Sequence, residues 1–416
     1  MRVAGLFGAS LGEVAQPLRD RQFRWLWLST FAWNFARWME MTVTGWVALE
    51  LTHSPWLVAL IGVARSAFLP LAGPITGALS DRFERSRLMK VAQWGNVLVI
   101  GAVAISLLSG TGAYWQLVVA SLWLGASWGI DWPSRRALVA DMVGPERVLH
   151  AVLLDNVTQN ASRIAGPLLG GVLLAYWGAP GAYTTLALSF LVASLALLPL
   201  APRRRINMLA RQSVWRVLAA GVDYLRRDAA CWAVLVITVF MNCMLFPYMQ
   251  LLSVFAERVL FVGPVGLGSM GAANGIGAAA GLLLLPPLRR PRWQLWAFCG
   301  GSFLACLSLF AFASSRSFAL SLALLVVIGL GTSAFGTMQS TIVLSRVSEA
   351  MRGRAIGLLA LAIGTAPLGS LEMSVLVERL GAPLAVAINA ALCVALVAWA
   401  ASRADLLGSA RPVRSR

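Results

Sequence analysis

The sequence predicts an all-α integral membrane protein, with twelve transmembrane helices in two six-helix bundles and both termini in the cytoplasm. Three observations predict it. Of the 416 residues 59% are hydrophobic and only 12% charged, against about 25% charged in a soluble domain. That leaves too few polar side chains to cover soluble domains, and disorder would need low hydrophobicity with high charge. Next, the chain divides into twelve apolar stretches, each close to the ~20 residues that a bilayer-spanning helix needs. Finally, the basic residues fall almost entirely into alternate connections.

The stretches lie near 24–51, 56–80, 88–109, 114–142, 151–176 and 181–200, then 230–256, 266–287, 294–313, 318–345, 355–377 and 384–402. Connections are short except for 201–229, which is basic and partly amphipathic, as expected of a helix lying on a membrane surface. The expected organisation is therefore an N-terminal bundle (1–200), a cytoplasmic linker (201–229) and a C-terminal bundle (230–416). Cytoplasmic loops should hold the Lys and Arg residues. Of 34 such residues, 28 fall on one side, in the N-terminus, 81–90, 133–150, 201–229, 288–293, 346–354 and the C-terminus. The opposite side holds Arg258, Arg316 and Arg379, and Arg37, Arg65 and Arg163 remain inside stretches. A missed helix would reverse the pattern downstream, and no reversal occurs.

The net charge of +17 does not indicate nucleic-acid binding, because such binders concentrate charge on one soluble face. Here it is divided among short clusters between apolar stretches. Cys231, Cys243, Cys299, Cys306 and Cys393 all sit in apolar stretches without metal-ligand spacing and read as small buried hydrophobes. The N-terminus lacks the apolar core and cleavage site of a signal peptide. No catalytic cluster, metal site or cofactor motif is expected. His53 and His150 stand alone at opposite helix ends, and no phosphate-binding loop for ATP is present.

Two motifs carry more than topology. Residues 77–87, GALSDRFERSR, lie between the second and third stretches. Gly77 would permit close helix approach, Asp81 sits where a helix meets the cytoplasm, and Arg82 and Arg85 would face headgroups. In the fifth stretch, Ser162 precedes the small-residue run Gly166, Pro167, Gly170 and Gly171, which would allow tight helix contact, with Pro167 removing a backbone hydrogen bond.

Charges inside the bilayer are costly unless paired or wetted. In the first stretch Asn34, Arg37, Trp38, Met41 and Thr44 share a face, with Glu40 beside it. In the fifth, Asn156, Gln159, Asn160 and Arg163 recur at helical spacing as a polar stripe bordered by Asp155. Arg65 and Glu372 complete the set. These residues are expected either to bind substrate or coupling ion, or to form packed ion pairs such as Arg37 with Glu40. Asn242, Gln250, Phe335, Met338 and Gln339 are weaker candidates for lining a cavity.

The 77–87 run resembles the signature loop of the major facilitator superfamily. The stretches ARWMEMTVTGWVALELTHSP, WLGASWGIDWPSRRALVADMV and RGRAIGLLALAIGTAPLGSL are similar to its branch of transmembrane secretion effectors, macrolide exporters and siderophore exporters. Glu84 and Ser86 depart from the usual signature, and the second half has only an echo of it, PPLRRPRW. The arginine often found midway along the fourth helix of related drug exporters is not evident. The resemblance implies a conformational gate formed by Gly77, Asp81, Arg82 and Arg85, with Arg85 pairing Asp141. It also likens Gly166, Pro167, Gly170 and Gly171 to the motif of antiporting members.

The expected function is secondary active export of a small amphipathic or anionic compound by alternating access, as a proton antiporter in a bacterial inner membrane. Symport, or flipping of lipid by the same fold, is the alternative. The expected partners are the small-molecule substrate, protons and membrane lipid, for a monomer. Among the acids, Glu40 ranks first for proton coupling, then Glu372 and Asp155.

Overall fold

The computed structural model describes residues 16–69, 83–200, 222–284 and 291–403. Twelve α-helical elements follow in order: α1 (Arg21–Thr52), α2 (Pro55–Ser66), α3 (Arg85–Leu108), α4 (Tyr114–Leu195), α5 (Ala229–Phe240), α6 (Tyr248–Val254), α7 (Gly263–Leu284), α8 (Pro291–Ser314), α9 (Phe318–Arg346), α10 (Glu349–Ile363), α11 (Ala366–Leu380) and α12 (Ala382–Arg403). Residues 77, 81 and 82, and 201–221 of the expected linker, lie outside the described residues.

The helices start where the sequence supplies caps. The Asp20 carboxylate accepts from the backbone N–H of Gln22 at 2.7 Å and of Phe23 at 3.1 Å. Ser54 caps α2, whose first residue is Pro55, and Asp228 accepts from the Cys231 N–H at 3.0 Å to open α5. Each cap satisfies donors that the first helical turn leaves unpaired.

The 82 residues of α4 form one helical run that is not one straight rod. Arg135 bonds to Ser29 of α1, while Thr158 accepts from Trp27, less than one turn away on that helix. A straight helix would set Arg135 and Thr158 about 35 Å apart, so the chain doubles back between them. It turns again at Gly178, whose φ of +63° suits glycine. This run therefore supplies three limbs, covering the fourth, fifth and sixth expected stretches.

Among the described residues, eight helices are long and apolar enough to cross a membrane. The other four expected crossings map to helical segments that miss that standard for visible reasons. α1 is 32 residues long but carries Arg37 and Glu40 midway. The second stretch is described only to residue 69, with α2 covering Pro55–Ser66, and the first limb of α4 contains Asp131, Arg135 and Arg136. The second and third limbs run together as His150–Leu195. Large apolar side chains face outward along the helices, Leu98 (71% exposed) and Ile105 (68%) on α3 among them, as lipid requires.

Between the halves, helices approach at one end of the molecule. A methyl group on Gly171 would strike the Pro264 carbonyl and the Gly268 backbone, so the second limb of α4 sits directly against α7. Gly166 and Gly170 pack the same limb on α1 at Met39. At that end Arg258 also donates to the His53 carbonyl at 2.6 Å.

Candidate functional site

A cavity of about 230 Å³ lies where α1, α2 and the first limb of α4 meet the segment around Pro247. Two stretches of π-helix, Met241–Leu245 and Phe255–Val259, flank α6. Proline cannot donate to the preceding turn, and such bulges accommodate the missing bond. The widened backbone turns Asn242, Phe246 and Gln250 toward the cavity. Asn242 and Gln250 are weaker candidates from sequence alone, and Pro247 in mid-stretch is the sequence signal that marks this wall.

On the other wall, Arg37, Glu40 and Arg65 line the cavity together. The ion pair expected between Arg37 and Glu40 does not form. Glu40 is fully buried and is clamped by Arg65, which donates both Nη atoms to its carboxylate, one of them at 2.7 Å. Thr44 donates to the same carboxylate at 2.6 Å. With that hydroxyl hydrogen committed, the Tyr183 hydroxyl donates to Thr44 across 2.8 Å. The acid thus has three hydrogen bonds and an opposite charge, the partners that a buried carboxylate requires.

Arg37, one turn away, has no carboxylate partner among the described residues. Its guanidinium lies 4.9 Å from the Trp128 ring centre and 5.8 Å from that of Trp38. Cation–π contacts of this kind stabilise a partly desolvated arginine while leaving its N–H groups available. The Trp128 Nε1, the Asn96 Oδ1 and the Arg65 Nε are also buried without protein partners. Three cavity residues thus offer unused polar atoms beside a cation whose charge is uncompensated.

A second buried network adjoins the first and was not anticipated. Asp131 and Arg135, both in the first limb of α4, pair at 2.9 Å with 0% and 4% side-chain exposure. Gln93 donates to Asp131 at 2.6 Å, and Arg135 donates to Ser29 and Thr30 at 3.1 and 3.0 Å. Arg135 also stacks over Trp33 at 5.0 Å. Arg135 belongs both to the fourth apolar stretch (114–142) and to the basic segment 133–150, and the structure places it within the first limb of α4, buried against Asp131. A helical i, i+4 spacing of Asp131 and Arg135 was the signal that would have paired them. Asn96 donates to Gln93 at 3.4 Å and also lines the cavity, so the two networks touch.

The remaining candidates disperse. Arg163 donates to Asn274 of α7 at 2.7 Å, and Asn274 donates to the Tyr248 hydroxyl at 3.0 Å, so this arginine ties the halves together. Asn160 donates to its own helix at the Asn156 carbonyl. Neither these residues nor Gln159 line the central cavity, so the polar stripe of the fifth stretch is not its wall. Asn34 is buried and its Oδ1 has no partner. Asp155 is half-buried, with Arg136 and Arg135 as its charged neighbours. Glu372 is exposed on the outer face of α11, where it accepts from Asn389 of α12 at 2.8 Å, away from the cavity. Phe335 stacks with Phe298 at 5.5 Å, and Gln339 donates to Thr238 at 2.6 Å, both inside the C-terminal half. Of the expected gate, Gly77, Asp81 and Arg82 fall outside the described residues. Arg85 opens α3, and position 141 is helical.

Known proteins agree with this architecture. Residues 13–409 match the family model described as transmembrane secretion effector. The Staphyloferrin A transporter of Staphylococcus aureus is 21% identical over 360 residues, covering 86% of this chain and 90% of that protein. The enterobactin exporter EntS of Salmonella typhimurium is 25% identical over 338 residues, covering 77% and 78%. Among solved structures, the D323A mutant of the nucleoside transporter NupG superposes with a TM-score of 0.74 at 12% identity, covering 92% of this chain and all of that one. The chain belongs to the transmembrane secretion effector family of major facilitator transporters, and is a multi-pass membrane protein of that fold.

Proposed function

We propose that this member of the transmembrane secretion effector family exports a small amphipathic or anionic compound across a bacterial inner membrane in exchange for protons. Twelve crossings with cytoplasmic termini, working by alternating access, are the frame of this reading. The observation that carries it is Arg37, a guanidinium held over Trp128 in the cavity between the halves with no carboxylate on it. A carboxylate or phosphate group of a substrate would take its free N–H groups, and the aromatic and methionine wall would take an apolar portion.

The seam at Gly171 and Gly268 supports an inward-facing state, because the basic loops place that end of the molecule outside the cell. Opening requires the two halves to rock about the cavity. Gly77, Asp81, Arg82, Arg85 and Asp141 are assigned to the gate at the opposite end.

Coupling follows from the clamp. A proton on Glu40 would cancel its charge and free the Arg65 guanidinium inside a cavity of only about 230 Å³. The freed group would occupy substrate room and repel any cationic part, so proton and amphipathic substrate would exclude one another, as antiport requires. For a purely anionic substrate the sign reverses. The freed Arg65 would bind it, and by linkage the proton and substrate would travel together. A purely anionic substrate would therefore favour symport, the second reading.

The test is a substrate panel in everted vesicles with an imposed pH gradient. Antiport predicts that an exported substrate dissipates the gradient as it is taken up against its own gradient. Uptake that instead requires protons to move with the substrate would establish symport. No response to any member of a panel spanning siderophores, amphipathic drugs and organic anions would count against the export reading.

A further inference from the structure

We infer that the groove between α3 and the first limb of α4 binds an anionic phospholipid. The groove, about 390 Å³, lies apart from the central cavity, and its walls include Phe83, Val91 and Trp123. Val91 is 60% exposed and lies on the same helix as Leu98 and Ile105, so its surroundings are the apolar outer face of a membrane protein. The solvent of such a face is lipid.

Three features make the groove more than a gap between helices. Ser127 is 2% exposed, lines the groove, and its hydroxyl has no partner. The indole N–H of Trp123, in the same wall, is buried without a partner as well. A hydroxyl and an indole N–H buried in apolar surroundings are each costly unless an acceptor reaches them. Arg87 stands at the rim, exposed, with no ion-pair or hydrogen-bond partner among the described residues. Glu84, one turn away, makes no ion pair with it. Lys90 is not among the groove's walls and donates elsewhere, to the Leu198 and Leu200 carbonyls at 3.4 and 3.3 Å.

The order of these groups fits the order of groups in a phospholipid. The two helices run antiparallel, joined by the short turn after Leu108, and Trp123 packs against Gly95. Ser127 therefore lies one turn from Trp123 toward Arg87, near the level of Val91. At about 1.5 Å per residue, that is roughly 6 Å deeper than Arg87. A headgroup phosphate on Arg87 would leave an ester carbonyl at the level of Ser127, whose hydroxyl supplies a donor, with the Trp123 indole one turn deeper. An acyl chain would continue along the apolar wall. The charge on Arg87 selects an anionic headgroup. This site stands whatever the transported substrate and its direction.

The experiment is native mass spectrometry of the purified full chain, challenged with equal phosphatidylglycerol and phosphatidylethanolamine, with unfolding temperature measured alongside. The wild type should retain phosphatidylglycerol selectively. Arg87→Gln should weaken that retention roughly fivefold, and Val91→Trp, which fills the groove from its exposed side, should abolish it. Ser127→Ala should raise the unfolding temperature of the delipidated protein while shrinking the further rise on adding phosphatidylglycerol, a pattern that a merely structural serine would not give. Equal retention of both lipids would overturn the site. So would phosphatidylglycerol binding that Val91→Trp leaves intact, since the lipid would then be held elsewhere.

Discussion

The two halves of this transporter bury polarity in different ways. In the N-terminal half, Glu40, Asp131 and Arg135 are all buried, each within an ion pair, and Arg37 reaches the cavity with its charge unpaired. In the C-terminal half, the buried polar residues among those described are amides and hydroxyls, such as Asn242, Asn274, Gln339 and Thr238. A charged pair there, Asp228 with Arg346 at 3.2 Å, sits at a helix end with partial exposure. Pseudo-equivalent bundles have thus divided the work. One holds buried ion pairs and an unpaired arginine at the cavity, and the other supplies a neutral wall bent at Pro247.

The comparison breaks first on stability. Breaking a buried pair leaves an uncompensated charge and costs about 3–5 kcal/mol, whereas losing a neutral hydrogen bond costs about 1 kcal/mol. Asp131→Asn should therefore lower unfolding stability in detergent far more than Gln339→Leu does. Replacing both partners, Asp131→Leu with Arg135→Met, should recover most of the loss. If Asp131→Asn and Gln339→Leu prove equal, the charged network of the N-terminal half has no special standing.

Next in size is the seam between the halves. Gly171→Val would press a branched side chain into the Pro264 and Gly268 backbone, and overpacking of this kind costs about 1–3 kcal/mol. That cost falls on the closed end alone, so the population should shift toward the state open there. Accessibility of a cysteine placed near Gly268 to a water-soluble thiol reagent would report the shift.

Arg37→Ala should then weaken substrate binding about tenfold, the scale of a partly desolvated cation–π and charge interaction, with little loss of fold stability. Glu372→Gln should do least. Its carboxylate is exposed and distant from the cavity, so stability should change by no more than about 0.5 kcal/mol, and transport should be unaffected. A large transport defect there would return Glu372 to the coupling candidates.

What the sequence revealed, and what it hid, follows from the range of each signal. Apolar stretches and caps are local, so the helices near 230–256, 318–345 and 384–402 correspond closely to observed elements. The small-residue motif of the fifth stretch was legible because glycine spacing directly encodes close approach, and Gly166, Gly170 and Gly171 do pack against α1 and α7. Pairing between helices was not legible. Arg37 and Glu40 share a turn, yet the acid is taken by Arg65 from the next helix, because reach and direction across a helix pair decide the partner. The Asp131–Arg135 pair was not legible either, because a charge-counting rule treats an arginine as a loop marker and does not weigh an aspartate one turn earlier. The central cavity itself depends on Pro247 and the π-helical turns beside it, a backbone irregularity that hydropathy does not register.

The central claim is that the Glu40–Arg65 clamp couples the transport step to protons. The most direct measurement compares wild type and Glu40→Gln in proteoliposomes, recording substrate movement driven by a pH gradient and substrate exchange without one. In the variant, gradient-driven transport should be lost while exchange persists, because the cavity and Arg37 remain and only the titrating group is gone. Gradient-driven transport that survives in Glu40→Gln would contradict the account and leave the clamp a structural ion pair.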